Sequence, residues 1–350
     1  MNTAVLDSPA AFAVDRRAVL HGLLDDALAY GPEHGQGMAS HLPMALAALD
    51  GLGAHEAQMR SFFAHYARRL EPVAMPRGGV KPVDDWRRLR GRIEAFQPLR
   101  ASFARLLARS GADAVLRDAV PALADGVSGA AFHGPIRAAH AVEAAHEGEL
   151  AAALAYWAAR CEPLPAPGPA PLRIAGVTAW LDALDARRLA FDPGWRASAP
   201  LISARMQQAA LTPPYIELAG ALAVDGVAPA ALLVDLAKAC AARYAATGNF
   251  TVLHMATASR ALRVLARWLP AGADALAPLL HAVAAANLAA RAAPLQRHAD
   301  DGEPGWEDVR RRACASDDDH VIKLVHAAAM QQGELPDAVW LEAARTAVRG

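Results

Sequence analysis

The fold class is decided by residues 249–270, which read NFTVLHMATASRALRVLARWLP. Asn249 is a favoured residue at a helix N-terminus and Pro270 cannot continue a helix, so together they predict a helix between them. One face of that helix is apolar apart from a single histidine, and its members recur at helical spacing: His254, Ala258, Ala261, Leu265 and Trp268. We therefore expect His254 to point into the protein interior.

Similar start and stop signals recur along the chain, whereas alternating strands joined by Asn-Gly or Asp-Gly turns are nearly absent. About a quarter of the residues are alanine, the best intrinsic helix former. We predict an all-α protein, with helices over residues 41–50, 54–70, 86–109, 136–160, 174–188, 199–210, 214–223, 228–246, 250–269, 272–292, 305–314, 317–332 and 335–348.

Composition and charge exclude several classes of protein. The 35 basic and 36 acidic residues nearly cancel, which leaves no global field to attract nucleic acid or an anionic membrane. The N-terminus lacks the features of a signal peptide, and the weakly charged run 275–290 is shorter and more polar than a membrane span, so we expect a buried helix there. The cysteines lie too far apart for a zinc ribbon or a disulfide framework: Cys161, Cys240 and Cys314. These features predict a cytoplasmic protein that binds neither nucleic acid nor membrane.

Histidines are the most numerous candidates for chemistry, with 13 in 350 residues. His41 lies in the first turn of an apolar helix, and His133 stands just before a Gly-Pro pair. His320 and Lys323 are three residues apart on one helix, so their side chains lie together. Six others fall in polar or terminal contexts and are expected to be solvated: His34, His55, His65, His146, His281 and His298.

Each of these signals also has a purely structural interpretation. A lone inward histidine is more often a hydrogen-bonded core residue than a ligand. The three aspartates 317–319 match the positive end of a helix dipole, and Lys323 can pair with Asp319.

Spacing argues against several other chemistries. A ferritin-like di-metal bundle needs two Glu-x-x-His motifs, and the chain has one, from Glu143 to His146. His-Asp, HExxH, Walker A and GxSxG patterns are absent. Without predicted strands there is no place for a Rossmann phosphate loop, so any NADPH would have to bind by another geometry.

Four short motifs occur in an order that resembles the questin oxidase-like family. They are SHLPMALAAL around His41, FHGPIRAAHAVE around His133, FTVLHMATASRAL around His254, and DDDHVIKLVHA with His320 and Lys323. The resemblance spans residues 41 to 326, which is most of the chain. One departure is His140, where relatives often have an aromatic residue.

The resemblance implies an oxygenase that opens a ring of a hydroxyanthraquinone-like aromatic substrate, using O2 and in some descriptions NADPH. It further implies a non-haem iron (Fe2+) held by His41, His133, His254 and His320, with Lys323 as a carboxylated lysine. Because these residues lie on both sides of the proline-rich segment EPLPAPGPAPLR (162–173), we expect one domain over residues 1–350. Whether that segment also separates two lobes stays open.

The chemistry of lysine agrees with this assignment. Only three of the 35 basic residues are lysines, Lys81, Lys238 and Lys323. Burial beside a divalent cation lowers a lysine pKa, and the neutral amine then adds carbon dioxide to give an anionic carbamate. Arginine has no accessible neutral form and cannot do this. In this hypothesis the metal activates oxygen against an electron-rich phenol, with Asp319 or Glu143 orienting imidazoles.

Two other interpretations stay open at this point. One is a non-catalytic helical ligand-binding protein whose buried histidines are structural. The other is an oxygenase of the same fold that acts on an unrelated aromatic catabolite. Fold analogy alone does not decide the substrate, and the sequence specifies neither the oligomeric state nor the choice between mono- and dioxygenase.

Overall fold

A computed structural model describes residues 9–73, 79–295 and 304–349, with side chains from residue 16 onward. The protein is 70% helical, which confirms the all-α prediction. The fifteen α-helices of the described residues are α1 Pro9–Ala27, α2 Leu42–Leu52, α3 Glu56–Ala67, α4 Phe96–Leu123, α5 His133–Ala144, α6 Glu147–Ala159, α7 Val177–Phe191, α8 Ile202–Ala209, α9 Pro213–Leu218, α10 Pro229–Thr247, α11 Phe250–Leu265, α12 Ala277–Ala290, α13 Trp306–Cys314, α14 Asp319–Glu334 and α15 Ala338–Arg349.

A short antiparallel hairpin precedes α2. Its strands are β1, Glu33–His34, and β2, Met38–Ala39. The turn contains Gly35 and Gly37, whose φ values of 55° and 87° suit glycine best.

The predicted helix over 136–160 is wrong as one element, because the chain forms α5 and α6 instead. Ala145 adopts a left-handed conformation with φ of 49°, which ends α5. The His146 side chain then accepts a hydrogen bond from the Glu149 backbone N–H and so begins α6. Alanine-rich composition gave no signal for this break, since alanine is favourable on both sides of it.

The predicted helix over 86–109 is wrong at its start but close at its end. Two 3-10 turns, Trp86–Leu89 and Ile93–Ala95, precede α4, which begins only at Phe96. Gly111, with φ of 76° and ψ of 163°, kinks α4 two residues after the predicted end, and a second helical stretch continues to Leu123. Gly91 separates the two turns with a φ of 73°, and its N–H donates to the Ala158 carbonyl at 2.9 Å. A contact with α6 therefore overrides the local helical preference.

The core helices α2, α5, α11 and α14 pack against one another, α2 on α5 and α14, and α11 on α5 and α14. Two of them precede the segment 162–173 and two follow it, so the two parts of the chain are in direct contact. The segment itself has no helix, as predicted, and is tied to α9 by the Tyr215 hydroxyl, which donates to the Pro165 carbonyl at 2.9 Å. The assignment of a single domain stays a prediction.

The run Ala273–Ala290 meets the length and composition of a membrane span, contrary to the expectation that it is too short and too polar. However, 61% of this run is buried inside the protein, as in a core helix. The buried helix α12 predicted from the sequence is therefore present. The cytoplasmic location stays a prediction.

Candidate metal centre

Four histidines form a closed ring at the N-terminal ends of α2, α5, α11 and α14. His41 immediately precedes α2 rather than lying in its first turn, and the other three lie within their helices. Successive ring centroids lie 4.4 Å apart for His41 and His133, 5.1 Å for His133 and His254, 5.4 Å for His254 and His320, and 4.7 Å for His320 and His41. His41, His133 and His254 are buried, and His320 is half-buried. The structure thus brings together the four histidines that the sequence comparison singled out.

Lys323 and Asp319 adjoin this ring on α14. The Lys323 ammonium nitrogen lies 3.5 Å from Asp319 Oδ1, and both residues are buried. Asp319 Oδ1 also lies 3.0 Å from His320 Nδ1 and in hydrogen-bond contact with His41 Nδ1. Ligand atoms of His41, Asp319 and His320 lie within 4.8 Å of one another. Among the described residues, these three are the histidine, cysteine and acidic side chains that lie close enough together to share a metal ion.

An unusual backbone segment presents His133 to the ring. Ala130, Ala131 and Phe132 have φ values of 46°, 56° and 68°, which non-glycine residues rarely adopt. Gly129 packs so tightly that an added Cβ would lie 1.7 Å from the Arg160 carbonyl oxygen. Strained segments of this kind persist where the surroundings fix them, and they concentrate at functional sites.

Hydrogen bonds to backbone carbonyls set the tautomers of two ring histidines. His254 Nδ1 lies 2.8 Å from the Phe250 carbonyl, and His133 Nδ1 bonds the Ala130 carbonyl. Because a carbonyl oxygen only accepts, each Nδ1 carries the proton, which leaves the Nε2 lone pair free in the neutral ring. The Nε2 atoms of His133 and His320 are buried without a hydrogen-bond partner. Such atoms are costly to bury, and a metal ion would satisfy them.

Electrostatics favour the metal-binding form of the histidines. Burial, with a contribution from Lys323, lowers the pKa of His41 to about 3, and burial lowers the pKa values of His133 and His254 well below the usual range. These rings are therefore neutral at pH 7. Burial also lowers the pKa of Lys323, although Asp319 partly opposes it.

Asp319 supplies the negative charge of the site. Burial alone would raise the pKa of its carboxyl group, but His41 and Lys323 outweigh this effect and hold the pKa well below the usual value. Asp319 is therefore ionised at neutral pH. The positive ends of four helix dipoles meet here and favour an anion, so a cation needs an anionic ligand to bind.

A cavity of about 280 Å³ leads from the ring to solvent. His41, His133, His254, Asp319 and His320 line it, together with an apolar wall formed by Ala130, Ala131, Pro200, Leu201 and Ile202. At the mouth, Met38 is 49% exposed and Phe250 is 51% exposed. The Phe250 ring centroid lies 4.8 Å from that of His254 and 4.6 Å from that of His320. A cavity with an apolar wall and a few polar side chains fits a small aromatic ligand.

Sequence reasoning missed several residues of this cavity. The buried Tyr66 hydroxyl accepts a hydrogen bond from the His41 backbone N–H at 2.9 Å. His34, expected to be solvated, is half-buried and lines the cavity. Phe250 had a usable signal, because it lies four residues before His254 on the same helical face. Tyr66 and His34 gave none, because tertiary packing alone brings them here.

The Glu143–His146 motif does not join the site. Glu143 instead forms an ion pair with Arg260 at 2.7 Å, so its expected role in orienting an imidazole at the ring has no support in the geometry. His146 was expected to be solvated but is buried, with its Nε2 atom 3.2 Å from an Asp25 carboxylate oxygen. His298 lies outside the described residues.

The chain matches a protein-family model described as Questin oxidase-like over residues 38–328. The matched range contains the four ring histidines, Asp319 and Lys323. No curated protein matches the chain.

Proposed function

The chain belongs to the questin oxidase-like family, which makes it an oxidoreductase of the oxidase or oxygenase type, and we propose that it is an iron-dependent oxygenase. Its proposed reaction opens a ring of a hydroxyquinone or anthraquinone-like aromatic compound. The observation that carries the proposal is the closed ring of four histidines, with Asp319 and Lys323 beside it, at the inner end of an apolar cavity.

We propose that His41, His133, His254 and His320 hold the iron together with Lys323. Imidazole suits iron, and the unpartnered Nε2 atoms of His133 and His320 support a metal in the ring. When bound, ferrous iron would activate O2, which by itself reacts slowly with spin-paired aromatic compounds. NADPH as co-substrate is a separate prediction, tested by leaving it out of the assay.

Lys323 contributes as a carbamate in this proposal. Its amine is buried beside the histidine ring, and burial favours the neutral form that reacts with carbon dioxide. The resulting carbamate adds a negative charge where four helix dipoles favour one. Without carbon dioxide, Lys323 forms the ion pair with Asp319.

The remaining residues orient and shield the reacting groups. Asp319 contacts the Nδ1 atoms of His41 and His320, so it fixes the orientation of both rings. Phe250, packed on two ring histidines, provides a flat apolar surface for the substrate. The apolar wall excludes water from the bond that breaks.

The test compares two lysine variants in oxygen uptake with hydroxynaphthoquinone and hydroxyanthraquinone substrates, after loading with ferrous iron under anaerobic conditions. Lys323→Arg should lower uptake at least 100-fold and reduce iron content, since arginine cannot form a carbamate. Lys238→Arg is the matched control. The Lys238 ammonium lies 2.8 Å from an Asp337 carboxylate oxygen, and neither residue belongs to the histidine ring. This variant should retain full activity.

Carbon-13 NMR with labelled bicarbonate provides an independent readout of the carbamate. The wild type should show a carbamate signal that is absent in Lys323→Arg. A fully active Lys323→Arg enzyme would refute the role of the carbamate, and failure of every hydroxyquinone tested, with iron bound, would refute the substrate class.

A further inference from the structure

The cavity contains a positive charge that the proposed reaction does not use. Arg205, on α8, lines the same cavity as the histidine ring. Its Nε atom is buried and has no hydrogen-bond partner, and no carboxylate of the described residues forms an ion pair with it. Some partly buried arginines are held by carboxylates, as Arg160 is by Glu33 at 2.7 Å and Arg243 is by Asp185 at 2.6 Å. Arg188 also has buried nitrogens without a partner, but it lies outside the lining of this cavity. Arg205 is thus a cation whose partner is missing from its surroundings.

The charges around the cavity do not supply that partner. Among the described residues, Asp319 is the carboxylate in the cavity lining. It already contacts His41, His320 and Lys323. The second cation of the lining, Arg69, is exposed at the mouth and lies over the Tyr66 ring. Arg205 therefore gives the cavity lining unmatched positive charge. An unsatisfied buried donor is costly, so a ligand that pairs with it gains affinity.

We propose that Arg205 binds an ionised acidic group on the substrate, so that the substrate is an aromatic carboxylate or an aromatic compound with a comparably acidic hydroxyl group. A guanidinium presents parallel N–H donors that match the two oxygens of a carboxylate. Leu201, Ile202 and Phe250 line the cavity together with Arg205. In this proposal they contact the aromatic rings of the substrate. The acidic group then sets which end of the substrate points toward the histidine ring. This inference rests on the proposed function for the aromatic nature of the ligand.

The test measures the dissociation constants of 2-naphthoate and 2-naphthamide, two probes of equal shape that differ in charge, by isothermal titration calorimetry. The wild type should prefer the acid at least tenfold, as expected for a charge-assisted bond. Arg205→Gln should reduce that preference to less than threefold, and Arg205→Lys should restore part of it. Arg196→Gln is the matched control, because it removes an exposed arginine outside the cavity lining, on the segment before α8, and should keep the preference.

Two comparisons keep the outcome interpretable. Unchanged affinity of Arg205→Gln for the amide shows that the cavity is intact, so that loss of acid binding reports the charge. A preference that persists in Arg205→Gln and disappears only when the metal is removed with a chelator would overturn the proposal, because the metal would then bind the acid. No binding of 2-naphthoate to the wild type at millimolar concentration would also overturn it. If the protein proves to bind no iron, the proposed function fails while the difference between acid and amide remains.

Discussion

Three packed helices, α5, α11 and α14, carry buried basic residues, and two sets of these residues form layers with opposite chemistry. The pocket layer, at the histidine ring, consists of His133, His254 and Lys323. The inner layer, three to seven residues further along the same helices, consists of His140, Arg260 and His326. Both layers contain two buried histidines, so burial alone does not distinguish them.

In the inner layer, the carboxylate of Glu143 is already paired with a fixed cation, Arg260. The rings of His140 and His326 lie 5.4 Å apart, and each has a buried nitrogen without a partner. Burial lowers both histidine pKa values, Glu143 partly opposes this effect at His140, and Arg260 contributes to lowering both. Arg260 is permanently charged and takes up the carboxylate of Glu143. The pocket layer instead adjoins Asp319 and a lysine that can become neutral, so we expect a metal to bind there and not in the inner layer.

Gly129→Ala should have the largest effect, because it disrupts the loop that presents His133 to the pocket layer. The new Cβ would lie 1.7 Å from the Arg160 carbonyl oxygen. We expect a loss of about 3 kcal/mol or more in the free energy of unfolding, measured by urea denaturation. Gly22→Ala is the control, since nothing lies within 4 Å of its added Cβ, and helix α1 should be unchanged or slightly more stable. A Gly129→Ala protein of wild-type stability would show that this close contact does not fix the loop.

Asp319→Asn should lower iron affinity about 10- to 100-fold, because it removes the anion that orients two ring histidines. Competition with a chromogenic chelator measures the affinity. Asp317→Asn is the matched control, because Asp317 is an exposed carboxylate on the same segment whose ion-pair contact is with His65, outside the ring, at 4.0 Å. Equal losses in the two variants would contradict a specific role for Asp319.

His140→Phe should have the smallest effect and should appear only in acid. The folded pKa of His140 is lowered from 6.5 to about 4, chiefly by burial. Protons therefore bind the unfolded chain first, and the wild type loses stability as the pH falls from 6.5 toward 4. At pH 5 the His140 contribution lowers the free energy of unfolding of the wild type by about 1–2 kcal/mol, and the variant should not show this loss. Thermal melts of metal-free protein at pH 7.5 and 5 test this, and parallel pH dependence in both proteins would contradict it.

The sequence predicted what depends on periodicity and on local chain signals. Asn249 does cap α11 by accepting hydrogen bonds from the Thr251 and Val252 N–H groups, and His254 does point inward. The break at Ala145 was missed, because a histidine side chain and tertiary packing end α5 where alanine alone would continue it.

The candidate site was predicted unevenly. The order of short motifs identified His41, His133, His254, His320 and Lys323, which the fold brings together. Sequence reasoning considered Asp319 and Glu143 equally as orienting groups, and only the geometry separates them. Arg205 had no signal among 32 arginines, because its significance is the missing carboxylate partner, a property of the folded chain.

The central claim is that the pocket layer binds iron and the inner layer does not. The most direct test is metal content by inductively coupled plasma mass spectrometry, on protein purified without a histidine tag or added metal. We expect near-stoichiometric iron in the wild type and in His140→Phe, and little iron in His254→Ala. Absence of metal from all three proteins, including after anaerobic reconstitution with ferrous iron, would contradict the account and favour histidines with a structural role alone.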